Sequence, residues 1–321
     1  MPPSPPDMRL AAITGGTGFL GRYIVAALHR AGFRVRMLVR QDPVHPLLAE
    51  CRPELVLGDL RDAQALARLV EGADCVIHAA GLIKAVDRVT FFAVNEGGSA
   101  ALGQAVAAHA PGARLLVLSS LAASQPHLSH YAASKRAGEE AAIAGFARGD
   151  WVVVRPPAIY GPWDRETLSL FKAAAGPLVP VMGGPQARIA MIHAADAAGA
   201  VAALAMPGGP RARIFALCDG VAGGYDWSTL LDCAADAVGR RALRVRMPLV
   251  LLRAAGLGGS LRAALTGRAT MLTWAKSREI SFPDWSVASQ ELPPDTLWQP
   301  RISLSAGFME TARWYREQRW L

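Results

Sequence analysis

Residues 13–25 read ITGGTGFLGRYIV, with Gly15, Gly18 and Gly21 in G-x-x-G-x-x-G spacing. The segment follows a short apolar run and opens a longer helical pattern, so the glycines fall at a strand-to-helix turn. Three physical demands meet there. A tight turn needs a residue without Cβ, the backbone must approach a pyrophosphate closely, and the helix must pack on the sheet. The free N–H groups of the first helical turn then face the anion. After a first strand and near the start of the chain, this spacing points to a βαβ unit that holds a nucleotide.

The rest of the first half keeps the same alternation. Strands are expected at 9–13, 33–39, 55–57, 74–79, Arg114–Leu118 and 151–154. Helices are expected from the glycine turn to about Ala31, over 62–70 and 98–110, and around Tyr131. Strands alternating with helices predict an α/β, Rossmann-type, doubly wound and mostly parallel sheet. With 321 residues, 52% of them apolar and 19% charged, there is ample core for such a fold and little case for disorder. After about Pro156 the pattern loosens and tryptophans concentrate. The expected division is a flexible tail at 1–7, a nucleotide-binding domain at 8–157, and a smaller substrate-binding lobe at 158–321. Some segments of that lobe are expected to return to the first core.

The net charge of +8 is carried mainly by arginine. The arginines read as scattered and no nucleic-acid motif accompanies them, so a solvated surface with some pull on anionic ligands is expected. Cys51, Cys75, Cys218 and Cys233 lack metal or redox spacing and read as thiols of a reducing compartment, which suggests the cytoplasm. The start, MPPSPPDMRL, has no apolar signal core. The stretch MPLVLLRAAGLGGSLRAAL is broken by Arg253 and Arg262 and falls short of a membrane span, which needs roughly 20 apolar residues. Basic and apolar together, 240–268 also suits a place on a membrane surface.

The segment TGGTGFLG is similar to the cofactor loop of the extended short-chain dehydrogenases/reductases, the superfamily of nucleotide-sugar epimerases, dehydratases, dihydroflavonol reductases and 3β-hydroxysteroid dehydrogenases. The resemblance covers nearly the whole chain: GDLRD at 58–62, IHAAG at 77–81, VNEGGS at 94–99, RPPAIYGP at 155–162, IHAADAA at 192–198 and the closing FMETARWYREQRWL. It implies a nicotinamide cofactor held by Gly15, Thr17, Gly18, Phe19, Leu20 and Gly21. Asp59 and Leu60 would lie at the adenine side, Ala79, Ala80 and Gly81 along the cofactor, and Pro156 beyond the sixth strand. The position that is acidic in NAD-binding members falls on Val39, and Arg40 follows. Valine cannot grip a ribose diol and arginine can pair with a 2′-phosphate, so NADP(H) is expected. NAD(H) is the alternative if Asp42 or another group serves the ribose.

In HYAASK, Tyr131 and Lys135 are four residues apart and share one helix face. A phenol titrates near 10, and a neighbouring ammonium would lower it toward use in proton transfer. Alone, Tyr131 would read as a packing tyrosine. The resemblance reverses this, because the glycine loop, Asn95, Ser120, Tyr131 and Lys135 come in the superfamily's order. It implies Tyr131 as acid/base, Lys135 tuning it and holding the nicotinamide ribose, Ser120 on the substrate oxygen, and Asn95 with them. Lys84, Ser119 and Tyr160 are substrate-side candidates. His127 and His130 read as pocket-mouth or solvent residues, and His193 as structural.

Ala158 stands where the nucleotide-sugar enzymes usually carry a diphosphate-binding asparagine, and Ile189 where they tend to carry an arginine. The expected function is therefore an NADP(H)-dependent oxidoreductase for a carbonyl or alcohol on a hydrophobic small molecule. The alternatives are a nucleotide-sugar epimerase/dehydratase with bound NAD(P), and a non-catalytic NADPH-binding subunit like that of respiratory complex I. By resemblance alone, a homodimer is expected.

Overall fold

A computed structural model describes residues 8–321 apart from 148, 183, 185, 222 and 267–272. The expected tail at 1–7 lies outside the described residues. A seven-stranded sheet is formed by β1 (Leu10–Thr14), β2 (Arg34–Val39), β3 (Glu54–Leu57), β4 (Cys75–His78), β5 (Arg114–Leu118), β6 (Asp150–Arg155) and β7 (Arg213–Ala216). Its order is β7-β6-β5-β4-β1-β2-β3, and every pairing is parallel. The chain grows one way through β3 and then crosses back to β4. The carboxyl ends of β1 and β4 thus adjoin at the topological switch point, where open α/β sheets bind ligands.

Both β1 and β5 are buried along their whole length, as mainly apolar strands covered on two faces must be. Leu115 and Val117 enter one core layer, and Leu116 and Leu118 the other. Helix α1 (Phe19–Arg30) belongs to the second of these layers. Helices α2 (Ala63–Val70), α3 (Gly98–His109) and α4 (His130–Gly145) cover the opposite face. Helix α5 (Ala194–Ala205) packs on α1, and β7 pairs with β6, so residues 194–216 lie in the sheet unit although they follow residue 158.

Two local features differ from the expected pattern. The strand expected over 74–79 ends at His78, because the chain there turns across the glycine loop. Helix α3 is preceded by a π-helical turn, Ala93–Gly97, which apolar periodicity does not signal and which carries Asn95.

The second lobe has its own core, in which Tyr160, Phe171, Leu230, Phe308 and Tyr315 are buried. Beyond it lie α6 (Leu249–Thr266) and α7 (Trp274–Ile280), which pack on each other. The closing helix α8 (Leu304–Glu317) contributes Phe308 and Tyr315. No helix among the described residues is long and apolar enough to cross a membrane.

Candidate active site

The glycine loop is built without room for side chains. Gly15 has φ +72°, and a Cβ there would lie 2.4 Å from the Ala80 nitrogen. A Cβ on Gly21 would lie 2.0 Å from the Gly15 oxygen. Gly18 caps α1 with no side-chain acceptor, and the first turn holds no acidic residue. The N–H groups of Phe19, Leu20 and Gly21 therefore have no partner within the helix. Thr17 and Gly18 are exposed above them, while Leu20 packs on the sheet core. This bare ring of donors fits a pyrophosphate.

A second opening lies past the end of β2. It is a cleft of about 730 Å³ lined by Arg40, Gly58, Asp59, Arg61 and Asp62. Arg61 donates to Asp59 at 2.8 Å and holds that carboxyl below its usual range. Arg40 is exposed and forms no ion pair with a described residue. Val39 is buried in the sheet core and Leu60 turns inward against Gly98. Of the two arginines that line the cleft, Arg61 is engaged with Asp59 and Arg40 is not.

Beneath the loop runs a buried polar chain whose directions follow from its ends. The Asn95 carbonyl can only accept, so the Ser99 hydroxyl donates to it. Ser99 Oγ then accepts from His78 Nε2 at 2.9 Å, which leaves His78 Nδ1 to accept from the Thr14 hydroxyl at 2.7 Å. Thr14 Oγ1 in turn accepts from the Ala80 nitrogen at 3.4 Å. Burial pulls the imidazole down to about 3, with the Lys135 ammonium adding to the effect, so it is neutral as this chain of bonds requires. The network ties the end of β1 to β4 and to the turn that carries Asn95. Replacing His78 with leucine should leave two buried hydroxyls short of a partner, each costing about 1–3 kcal/mol. Chemical denaturation is the measurement. Unchanged stability would mean that the network carries no load.

Asn95 is buried and fully used. Its Oδ1 accepts from the Leu82 nitrogen at 2.7 Å, and its Nδ2 donates to the Leu82 carbonyl and to Ser134 Oγ. It thus fastens the loop after β4 to α4. A Cβ on Gly81 would lie 3.1 Å from Asn95 Oδ1 and 3.4 Å from Lys135 Nζ, which places all three together. Lys135 Nζ donates to the Leu118 carbonyl at the end of β5, 2.6 Å away. Burial lowers its pKa to about 8, and Glu139 acts against that.

Ser120 follows β5 and caps the short turn Leu121–Ser124. Tyr131 lies in the first turn of α4, whose cap Ser129 accepts from the Ala132 nitrogen. Ser120 stands against the Tyr131 phenol. Burial raises the Tyr131 pKa, the Ser120 hydrogen bond and the Lys276 ammonium oppose the rise, and Glu279 and Glu166 add to it. Lys135, expected to lower it, is not among these causes. The two share a helix face, but the Lys135 ammonium is turned to the Leu118 carbonyl and its own burial dominates.

Lys276 and Glu279 were not foreseen. Both come from α7, where Glu279 accepts from Lys276 at 2.8 Å and from the Ser129 hydroxyl. Arg278 of the same helix donates to the His127 carbonyl. The second lobe thus clamps the segment that presents Tyr131. No local motif marks it, since Ser129 and Glu279 are 150 residues apart.

Other candidates fall elsewhere. Tyr160, expected on the substrate side, is fully buried between Phe308 and His193 in the second core, and this corrects that assignment. A Cβ on Gly307 would lie 2.5 Å from its hydroxyl, so no substrate reaches it. Lys84 is half-buried at the rim and paired with Glu166 at 2.6 Å. Ser119 is buried beside Ser120, and Pro156 accepts from the Leu121 nitrogen. His127 and His130 are exposed, and His193 caps α5 through Nδ1.

The sequence signature of the NAD dependent epimerase/dehydratase family matches residues 11–217. The chain belongs to that family. Within it, this epimerase/dehydratase-family chain is 42% identical over 313 residues to a ceramide reductase of Caulobacter vibrioides, covering 97% of this chain and 96% of the relative. It is 28% identical over 297 residues to a 4-hydroxy-2-methyl-3-oxo-4-farnesyl-3,4-dihydroquinoline-1-oxide ketoreductase of Stigmatella aurantiaca, covering 85% and 88%. The dTDP-glucose 4,6-dehydratase DesIV of Streptomyces venezuelae, solved with NAD and TYD bound, shares the fold at a TM-score of 0.71 and 22% identity over 97% and 98% of the chains. This member of the family is an NAD(P)-dependent oxidoreductase of the extended short-chain dehydrogenase/reductase type.

Proposed function

We propose that this protein is an NADP(H)-dependent reductase of a ketone on a long-chain, ceramide-like lipid. The observation that carries the chemistry is Tyr131 set against Ser120, with Lys135 on the Leu118 carbonyl at the end of β5, in a fold whose glycine loop is bare enough for a pyrophosphate. The likeness to the ceramide reductase over almost its whole length supports the substrate class. Ala158, which cannot donate a hydrogen bond to a sugar diphosphate, supports it from the other side.

When bound, the nicotinamide supplies the hydride. The chain's own residues do the rest. The backbone amides of Phe19 to Gly21 hold the pyrophosphate, Lys135 holds the ribose hydroxyls, and Ser120 donates to the carbonyl oxygen. Tyr131 passes its phenolic proton to that oxygen as charge develops on it. At the far end, Arg40 receives the 2′-phosphate.

The test is NADPH consumption with a keto form of a ceramide. Turnover with NADPH well above that with NADH is expected, and failure to turn over any such lipid would sink the substrate reading. Arg40→Ala should weaken NADPH binding by about 10- to 100-fold, the loss of one charge-assisted contact, with NADH binding nearly unchanged. Equal losses for both cofactors would remove Arg40 from the phosphate site.

A further inference from the structure

The chain's positive charge is not dispersed, contrary to its first appearance. Between Asp236 and Glu279 stand nine lysines and arginines and not one carboxylate. The chain has 34 cationic and 26 acidic residues, so everything outside this segment holds 25 against 26. The whole surplus comes from one stretch, and the acid-free run rather than the density of arginine reveals it.

The same stretch carries many of the exposed large apolar side chains among the described residues. Helix α6 turns Leu252 and Gly256 inward. A Cβ on Gly256 would lie 2.8 Å from the Thr273 carbonyl, so α6 is seated closely on the start of α7. On the opposite side, Val250, Ala254, Leu257, Leu261 and Leu265 follow one another at helical spacing. Val250 is 76%, Leu257 58%, Leu261 63% and Leu265 81% exposed. Arg253 and Arg262 flank this stripe on its two sides. Just before the helix in the chain, the exposed strand Leu243–Arg246 alternates Leu243 and Val245 with Arg244, which is paired with Asp232, and Arg246. Eighteen helical residues extend about 27 Å, so the stripe is a long apolar edge lying along the surface.

We propose that α6 and the neighbouring strand are a docking surface for an anionic lipid bilayer. In this mode α6 lies in the plane of the headgroups, with its leucines in the acyl boundary and the flanking arginines on lipid phosphates. Apolar stripe and cationic borders are the two features such an interfacial helix needs. A second copy of the chain fits poorly. A two-fold contact would place this surface against itself, Arg253 and Arg262 facing their own copies with no carboxylate on α6 to offset them. The placement also has a use. Helix α7, against which α6 is seated, carries the Lys276 and Glu279 that face Tyr131, so the bilayer would lie one helix away from the site. The inference stands apart from the substrate reading, because lipid binding requires no turnover.

The experiment is co-sedimentation of the full chain with vesicles of phosphatidylcholine alone or mixed with phosphatidylglycerol. Binding should be at least about tenfold stronger to the mixed vesicles and should weaken as salt is raised. The double variant Leu257→Glu, Leu261→Glu should lower that binding by a further tenfold or so. Both side chains point to solvent outside the catalytic site, so its melting temperature and nicotinamide binding should match the parent. Absence of parent binding to anionic vesicles, or equal binding by the variant, would overturn the proposal. So would a concentration-dependent dimer in light scattering that the variant abolishes, since the stripe would then belong to a second copy.

Discussion

Tyr131→Phe is expected to lower kcat by roughly two to four orders of magnitude while nicotinamide binding stays intact, the range of a positioned acid/base group. The substitution removes one oxygen and keeps the ring. The ring's contact with Phe91, at 6.1 Å between centroids, remains, and so does the Ser129 cap two residues before it. The glycine loop and Lys135 are held by backbone and by the Leu118 carbonyl, neither of which depends on the phenol. Cofactor titration and melting temperature should therefore match the parent, and only turnover should fall. A variant that keeps more than about a tenth of the parent rate would exclude Tyr131 as the proton donor. Ser120→Ala should fall less, because it removes a donor to the same oxygen and leaves the proton transfer in place.

Glu139→Ala is expected to cost about 3–5 kcal/mol in chemical denaturation, the range for breaking a buried ion pair from one side. Glu139 lies one turn beyond Lys135 on α4, with its side chain 1% exposed, and binds Arg155 of β6 in a fork at 2.8 and 2.6 Å. Its removal leaves a nearly buried guanidinium without a counter-charge. A paired replacement, Glu139→Met with Arg155→Met, should cost less than Glu139→Ala alone, since no charge is then stranded. A cost below about 1 kcal/mol for Glu139→Ala would show that water or another acceptor takes over the arginine. The same carboxylate supports the charge of Lys135, whose pKa burial has already lowered to about 8. Activity of the variant should thus fall at a lower pH than that of the parent, as Lys135 loses its proton earlier.

Much of the fold and part of the site could be read from the chain because their signals are local. The glycine loop shows itself within seven residues, and β1 and β5 appear as short runs dominated by apolar residues. Tyr131 and Lys135 declare a shared face by their spacing. What spacing does not give is where a side chain's polar end goes. Lys135 sits on the expected face, yet its ammonium bonds the Leu118 carbonyl. Tyr160 has the same polar handle as Tyr131, yet closes a core around Phe308. Lys276 and Glu279 reach the site through a contact spanning 150 residues, and no periodicity reports that. The charge pattern was misread for another reason. Arginines counted one by one look even, and only the matching gap in aspartate and glutamate shows where the excess lies.

The place of β1 in the sheet also sets an order of assembly. It lies between β2 and β4, and both sides grow outward in the order of synthesis: β2 then β3 on one flank, β4 to β7 on the other. Each strand leaving the ribosome therefore finds its neighbour already made, and the only hydrogen-bonding edges that wait for a distant, later segment are those that β4 and β7 close. The second lobe behaves in the opposite way. Tyr160 and Phe171 emerge early, but Phe308 and Tyr315, which seal their core, come from the last helix. The seven-stranded sheet can thus complete itself during translation, while the second lobe stays open until the chain is released. That interval is when a lipid-seeking surface and an unsealed aromatic core are exposed together, and when the young protein is most prone to associate wrongly.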